Sequence, residues 1–150
     1  MALRVIDETA TTGAEPADVY ALLADGSTWP EWSPIGSFTL VAPGAGTPEG
    51  LGAVRLFTTG RHRSRERVVE CRPGEAFAYV LEKGLPLRDY EAVVTLTPAA
   101  GGGTAINWRS TFRAKVPGTG WLYRRELGRF IRRTTEGLAR ASDRARQAGA

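Results

Sequence analysis

The pattern of apolar and polar positions predicts seven β-strands, because most of the chain alternates with a period of two residues. Between residues 90 and 96, for example, Tyr90, Ala92, Val94 and Leu96 share one face. The segments that separate the later strands are short and rich in glycine and proline, so neighbouring strands must run antiparallel. The predicted strands cover residues 2–12, 36–42, 51–59, 63–72, 76–83, 88–98 and 104–115.

Two short helices are predicted between the first and second strands. The first opens at Glu15-Pro16, since proline is tolerated at the first helical position, and Asp25-Gly26 ends it. The second begins at Thr28, whose spacing to Glu31 is that of a capping box, and Pro34 stops it.

Trp29 and Trp32 lie three residues apart in the second helix and therefore share one side of it. Two tryptophans on so short a helix must be buried against a neighbouring element. We expect that neighbour to be the nearest apolar surface, the edge of the sheet.

A long amphipathic helix is predicted from Trp121 onward, with a length of about 25 residues. Its apolar stripe needs a partner, and the concave face of the sheet is the only large apolar surface that the pattern provides. The stripe consists of Trp121 or Leu122, Leu127, Phe130, Ile131, Thr134, Leu138, Ala141 and Ala145.

Length and composition indicate one domain over residues 1–150, long enough for a hydrophobic core. The chain is 42% hydrophobic and 24% charged, which is ordinary for a soluble globular protein. No run approaches the apolar length of a membrane span or forms a signal peptide, so we expect a cytoplasmic protein without membrane insertion. The lone Cys71 is consistent with a reducing compartment.

The net charge of +4 comes from arginine, with eight arginines between Arg124 and Arg146. A basic helix of this kind can bind nucleic acid. However, Glu126, Glu136 and Asp143 are interspersed at helical spacings, which favours a solvated helix face. We therefore expect no nucleic-acid partner.

The motifs of common enzyme mechanisms are missing from the sequence. The single His62 excludes an HExxH motif, and the single Cys71 excludes a CxxC motif. Gly101–Gly103 lacks the following Lys-Ser/Thr of a phosphate loop, and no GxSxG motif occurs. We expect neither a metal nor a cofactor.

An ordered set of motifs across nearly the whole chain resembles the helix-grip fold of the START/polyketide-cyclase superfamily, and in particular its bacterial polyketide cyclase/dehydrase branch. The resemblance implies an α+β fold of the order β-α-α-β6-α. In it, a curved antiparallel sheet of about seven strands wraps around the long C-terminal helix, and a cavity between them binds lipids, aromatic polyketides or similar molecules. The motifs are Pro16-x-x-Val19-Tyr20-x-x-Leu23-x-Asp25, Trp29-Pro30-x-Trp32, Gly52-x-x-Arg55-x-Phe57, Arg65-Glu66-x-Val68, Pro73, Leu87-Arg88-Asp89-Tyr90 and Gly102-Gly103-Thr104-x-Ile106-x-Trp108.

Arg55 and Glu66 are the candidate catalytic residues, because each is a charge within an otherwise strand-like segment. If they face the cavity, Arg55 could polarise a ligand carbonyl and steady an enolate. Glu66 could then act as a general base in an aldol-type ring closure, with its pKa raised by burial. The alternative is that both charges face solvent or form a mutual salt bridge.

The candidate ligand-binding residues are aromatic. The phenols of Tyr79 and Tyr90 could donate to a ligand oxygen, although most buried tyrosines simply satisfy a backbone carbonyl. His62 is expected to be exposed near a strand start, without a catalytic role. The remaining members of the predicted pocket are Trp32, Phe57, Trp108, Phe112 and Phe130.

Three functions of different classes remain open. The first is a carrier or sensor that binds a small hydrophobic or aromatic ligand. The second is a polyketide cyclase or dehydratase acting on an aromatic precursor. The third is a protein-interaction module that uses the arginine-rich C-terminal helix. A homodimer that pairs through Leu3 and Val5 of the first strand is a further alternative.

Overall fold

A computed structural model of the protein describes residues 2–149, which form seven strands and three α-helices. A single 3₁₀ turn, Gly26–Thr28, leads into the second helix. In chain order the elements are β1 Arg4–Thr12, α1 Pro16–Ala24, α2 Trp29–Trp32, β2 Ser37–Ala42, β3 Val54–Thr59, β4 His62–Arg72, β5 Ala76–Lys83, β6 Leu87–Pro98, β7 Thr104–Ala114 and α3 Gly120–Ala148.

All seven strands belong to one antiparallel sheet with the order β1-β7-β6-β5-β4-β3-β2. β1 closes back onto β7, so that Arg4 pairs with Phe112 and Thr12 pairs with Thr104. The curved sheet and the long C-terminal helix confirm the predicted α+β helix-grip fold.

The alternation predicted for the last two strands is confirmed. Every second residue of β7 from Thr104 to Phe112 is buried, and so are Tyr90, Ala92, Val94 and Leu96 of β6. These side chains form the inner face of the sheet, on which the core lies.

α3 is packed tightly only along its C-terminal half. Ile131, Thr134, Leu138 and Ala141 are buried there, whereas Leu122, Tyr123, Leu127 and Phe130 remain partly or largely exposed. The predicted stripe therefore extends too far at both ends: the side chain of Trp121 is 59% exposed, and Ala145 is exposed. The N-terminal half of the helix stands away from strands β3 to β6, which leaves space between them.

The predicted capping box of α2 is wrong. The helix begins at Trp29, and the Thr28 side chain makes no capping hydrogen bond. Its hydroxyl instead donates to the carbonyls of Leu22 and Asp25, both at 2.8 Å, and accepts from the Trp32 indole at 3.0 Å. The hydroxyl thus joins α1 to α2.

The predicted strand 51–59 begins later, at Val54. Leu51 forms only an isolated bridge with Ala45, because Gly52 has φ +87 and turns the chain before the strand can start. The loop between β2 and β3 consequently folds back toward the sheet and carries Glu49 with it.

Candidate functional site

The space between the sheet and the N-terminal half of α3 is a cavity of about 380 Å³. Its wall is mainly apolar and includes side chains from α2, from β3 to β6 and from α3. The lining residues are Trp29, Ile35, Thr59, His62, Ser64, Glu66, Tyr79, Leu81, Leu85, Leu87, Tyr90, Leu122, Tyr123, Glu126, Leu127 and Phe130.

A β-bulge at the start of β6 aims two side chains into this cavity. Leu87 and Tyr90 are both buried, although their spacing of three would put them on opposite faces of a regular strand. The register shifts between Arg88 and Glu91, and Asp89 there has φ +54 in the left-handed region. The bulge therefore supplies the extra residue that brings Tyr90 inward.

Three polar side chains lie on the inner wall of the cavity. The Tyr90 hydroxyl shares a 3.2 Å hydrogen bond with Ser110, and Tyr79 lies beside it with the two ring centroids 6.4 Å apart. Burial raises the pKa of both phenols, so they remain protonated donors. Burial also raises the pKa of Glu66 to about 8, against the opposing effect of the Arg55 charge. The Glu66 carboxyl is therefore mostly neutral at pH 7.

Arg55 is fully enclosed and surrounded by aromatic rings. Its side chain is 1% exposed, and its guanidinium carbon lies 4.9 Å from the ring centres of Trp29 and Phe57 and 5.1 Å from that of Phe77. These distances allow cation–π attraction. Burial lowers the pKa of Arg55, and the negative charge of Glu49 opposes that shift.

The ionic partner of Arg55 is Glu49, with Arg55 Nε and Glu49 Oε1 3.3 Å apart. Glu49 also accepts a 2.8 Å hydrogen bond from the backbone of Gly26. Arg55 and Glu66 are cross-strand neighbours, but no ion pair within 4.0 Å joins them. Both expected alternatives, solvent exposure and a mutual salt bridge, are therefore wrong for this pair.

Trp29 forms part of the cavity wall, and Arg55 lies behind it. The Trp29 ring stacks on Phe57 at 4.8 Å and meets Trp108 edge-on at 5.5 Å, so it occupies the inner face of the sheet rather than the predicted edge. Within residues 2–149, three buried nitrogens lack a hydrogen-bond partner, and their side chains all contact Trp29. They are Nε and Nη2 of Arg55 and Nε1 of Trp108.

The predicted site residues fall into two groups. Glu66, Tyr79, Tyr90 and Phe130 line the cavity, and His62 lies exposed at its rim. The other predicted residues are buried around the cavity without lining it. They are Arg55, Trp32, Phe57, Trp108 and Phe112.

Sequence reasoning missed several lining residues. Leu85 and Leu87 stand in a segment whose glycine and proline indicate a turn, and only their alternation around Pro86 signals that both can face inward. Ile35 follows Pro34 outside any periodic segment. Glu49 lies in a loop, and nothing in the pattern connects it to Arg55.

Within the part of the chain that the structure describes, no group of three or more His, Cys, Asp or Glu side chains is placed to hold a metal ion. Among the helices of residues 2–149, none has both the length and the apolar character needed to cross a membrane.

The sequence of the chain matches a known protein family. Residues 4–143 match the family described as polyketide cyclase / dehydrase and lipid transport. No curated protein sequence matches the chain.

Solved structures share the fold at low sequence identity. A START superfamily protein from Mycobacterium smegmatis has a TM-score of 0.80 at 13% identity, covering 94% of this chain and 98% of its own. The protein Ara h 8.0201 has a TM-score of 0.75 at 18% identity over 94% and 98% of the two chains. XoxI from Bacillus cereus has a TM-score of 0.73 at 17% identity over 94% and 95%.

Proposed function

The chain belongs to the polyketide cyclase/dehydrase and lipid transport family, and from this premise we propose that it is a carrier or sensor of a small apolar or aromatic molecule. The ligand occupies the cavity between the sheet and the N-terminal half of α3. It carries at least one carbonyl or hydroxyl oxygen, which accepts hydrogen bonds from the inner wall.

The observation that supports this proposal most strongly is the cavity itself, an apolar space of about 380 Å³ with a few convergent polar groups. A cavity of roughly 150 Å³ accepts one benzene, so this one has room for about two to three rings. The neutral Glu66 carboxyl and the Tyr90 phenol are donors that would orient a ligand oxygen. Leu85, Leu87 and Leu127 would contact its apolar body.

The test is fluorescence titration with 1-aminoanthracene, an uncharged three-ring probe. We expect saturable binding of one probe per protein, and we expect Leu127→Trp to weaken it, because the larger indole takes up part of the cavity. Leu51→Trp is the matched control, because Leu51 is exposed in the loop between β2 and β3. Equal probe binding by the two variants would show that the probe binds outside the cavity and would refute the proposal.

A second candidate function, cyclase or dehydratase, is favoured by one observation: Glu66 has a pKa of about 8 and lies beside two protonated phenols. A carboxyl with such a pKa exchanges protons near neutral pH. As a base it would take a proton from a CH₂ between two carbonyls, and the resulting enolate would attack a further carbonyl to close a ring. Tyr79 or Tyr90 would donate a proton to the new alkoxide and would regain one from the protonated Glu66 carboxyl, which restores both groups.

Glu66→Gln separates the two candidates. In a cyclase, this variant would lose turnover of a poly-β-ketone while still binding 1-aminoanthracene. In a carrier, a poly-β-ketone would be recovered unchanged from wild type and variant alike. Native mass spectrometry after incubation with a host extract would then show an adduct whose mass equals that of the free compound.

A further inference from the structure

A second concavity lies on the other side of α3, against the free edge of β1. This groove of about 360 Å³ does not share a lining residue with the cavity. One wall is the strand segment Val5–Glu8, and the other is the N-terminal half of α3. The helix contributes Arg124, Arg125, Gly128, Arg129 and Arg132.

The strand wall of the groove consists of open backbone. β1 ends the sheet, and within the described residues no strand pairs with its outer side. Four consecutive residues of β1 line the groove. Because successive side chains of a strand point to opposite faces, the groove must meet the edge of the strand rather than one of its faces. The Val5 carbonyl accepts a 3.2 Å hydrogen bond from Arg124 Nε, so the backbone groups of Val5 point outward. By the period of two, those of Asp7 also point outward.

The helix wall carries more positive charge than the neighbouring acids can balance. Between residues 120 and 133, α3 carries five arginines and one acid, Glu126, which faces the cavity on the other side. The two acids of β1 are already engaged, Asp7 by Arg109 at 3.1 Å and Glu8 by Arg132 at 3.6 Å.

Arg125 and Arg129 are exposed and make no ion pair with any residue from 2 to 149. An anionic group entering the groove would therefore meet two uncompensated charges beside an open strand edge.

We propose that this groove binds an extended acidic segment of a protein partner, which adds to the sheet as an eighth strand beside β1. Its backbone pairs with the outward groups of Val5 and Asp7, in the manner of β-augmentation. Its carboxylates contact Arg125 and Arg129. Arg124 gives up its hydrogen bond to the Val5 carbonyl and donates to a carboxylate of the partner instead.

Other occupants fit less well. A nucleic-acid backbone offers phosphate acceptors but no regular donors for the outward strand carbonyls. A lipid bilayer would need apolar side chains that project from the groove, whereas Ile6 in its lining is buried and Val5 is half-buried. A second copy paired edge to edge would bring the same arginines together, and their repulsion opposes that dimer.

The experiment uses a fluorescein-labelled eight-residue peptide of alternating Glu and Val, with binding followed by fluorescence anisotropy. We expect Arg125→Glu with Arg129→Glu to weaken binding about tenfold or more, and wild-type affinity to fall between 50 and 200 mM salt. The matched control is Arg140→Glu with Arg144→Glu, the same charge change at exposed positions on the C-terminal half of α3, where we expect less than about a twofold effect. Equal weakening in both double variants would overturn the proposal.

The backbone pairing of the peptide with β1 can be tested separately from its contacts with the arginines. Val5→Pro removes an outward N–H while sparing the pairing with β7, and we expect it to weaken peptide binding about fivefold. In the wild-type protein, the peptide should slow amide exchange at Val5 and Asp7. Unchanged affinity in Val5→Pro together with unchanged exchange at both amides would refute an eighth strand.

Competition identifies the class of partner. We expect a single-stranded oligonucleotide and phosphatidylglycerol vesicles to displace the peptide only at much higher anionic-group concentration. Displacement at equal concentration by either would overturn the choice of a protein partner. A concentration-dependent dimer that Val5→Pro abolishes would instead assign the edge to a second copy.

Discussion

Arg55 and Glu66 are cross-strand neighbours on the inner face of the sheet, and burial opposes the charge of each. Arg55 has Glu49 and the aromatic rings around it to compensate, and it has a high intrinsic pKa, so its charge persists. Glu66 has only the more distant Arg55, and it is held largely in its neutral form. The positive charge of Arg55 is thus kept in the core, whereas the negative charge of Glu66 is removed by protonation.

Glu66 should make the stability of the protein depend on pH. In the folded state its pKa is about 8, above the value of 4.5 for a free side chain, so the folded state binds the proton more tightly. The stabilisation of the folded state that comes from this tighter proton binding is fully present below pH 4.5, and it is lost as pH rises toward 8. We expect Glu66→Gln to raise the melting temperature by several degrees at pH 8.5 and by little at pH 5, as measured by circular dichroism.

Glu91→Gln is the matched control, since Glu91 is exposed on the outer face of β6. It should shift the melting temperature equally at both pH values. A pH-independent effect of Glu66→Gln would show that the Glu66 carboxyl is ionised in the folded protein throughout this range.

For single residues, the sequence shows which polar side chains stand in strands, but it does not show which groups contact them in the folded protein. Arg55 and Glu66 stand out as charges among apolar neighbours, and Tyr79 and Tyr90 as phenols in buried strands. The partner Glu49 could not be predicted, because it reaches Arg55 through a loop whose path depends on the turn at Gly52.

Among the elements, α3 has two halves with different tasks. The C-terminal half anchors the helix, and its closest approach is at Gly137, where an added β-carbon would lie 1.7 Å from the carbonyl oxygen of Trp32. The N-terminal half forms one wall of the cavity and one wall of the groove. Gly128 lies in that half, and a β-carbon there would meet nothing within 4 Å.

Two glycine-to-alanine substitutions in the same helix should have opposite effects. Gly137→Ala must push α3 away from α2, and we expect it to cost about 1–3 kcal/mol despite the better helix propensity of alanine. Gly128→Ala should stabilise the protein by up to about 1 kcal/mol. Urea unfolding of both variants checks this, and a stabilising Gly137→Ala would mean that the two helices are not in close contact.

The order and type of the elements could be predicted because each has a regular period and clear turn residues. The extent of the buried stripe on α3 could not. Thr135 and Ser142 are buried there with their hydroxyls bonded to carbonyls one turn earlier, so hydropathy underestimates burial at these positions. Trp121 is apolar but exposed, although its neighbour Gly120 is buried beside Arg4 of β1.

Over the whole molecule, packing is uneven. The C-terminal half of α3, α1 and the central strands share a continuous core, whereas the region around the cavity has fewer buried partners. Local opening requires less free energy where fewer apolar contacts are lost. The N-terminal half of α3 is therefore the part of the helix best able to move when a ligand enters.

Hydrogen exchange should reveal this difference. We expect amides of residues 124–130 to exchange at least about tenfold faster than those of residues 134–142. A bound apolar probe such as 1-aminoanthracene should slow the first group more than the second. Uniform protection along α3, unchanged by the probe, would contradict a cavity that opens at this end of the helix.

The closure of β1 onto β7 also has a consequence for the growing chain. The Thr104 hydroxyl donates to the Ala14 carbonyl 90 residues earlier, and among the strands of residues 2–149 β1 pairs only with β7. At typical rates of translation, β1 leaves the ribosome on the order of ten seconds before its partner strand exists. During that time the apolar residues of β1 have no sheet to join. The nascent protein therefore stays competent to fold only if it aggregates slowly or if a chaperone covers β1 until the last strand and helix emerge.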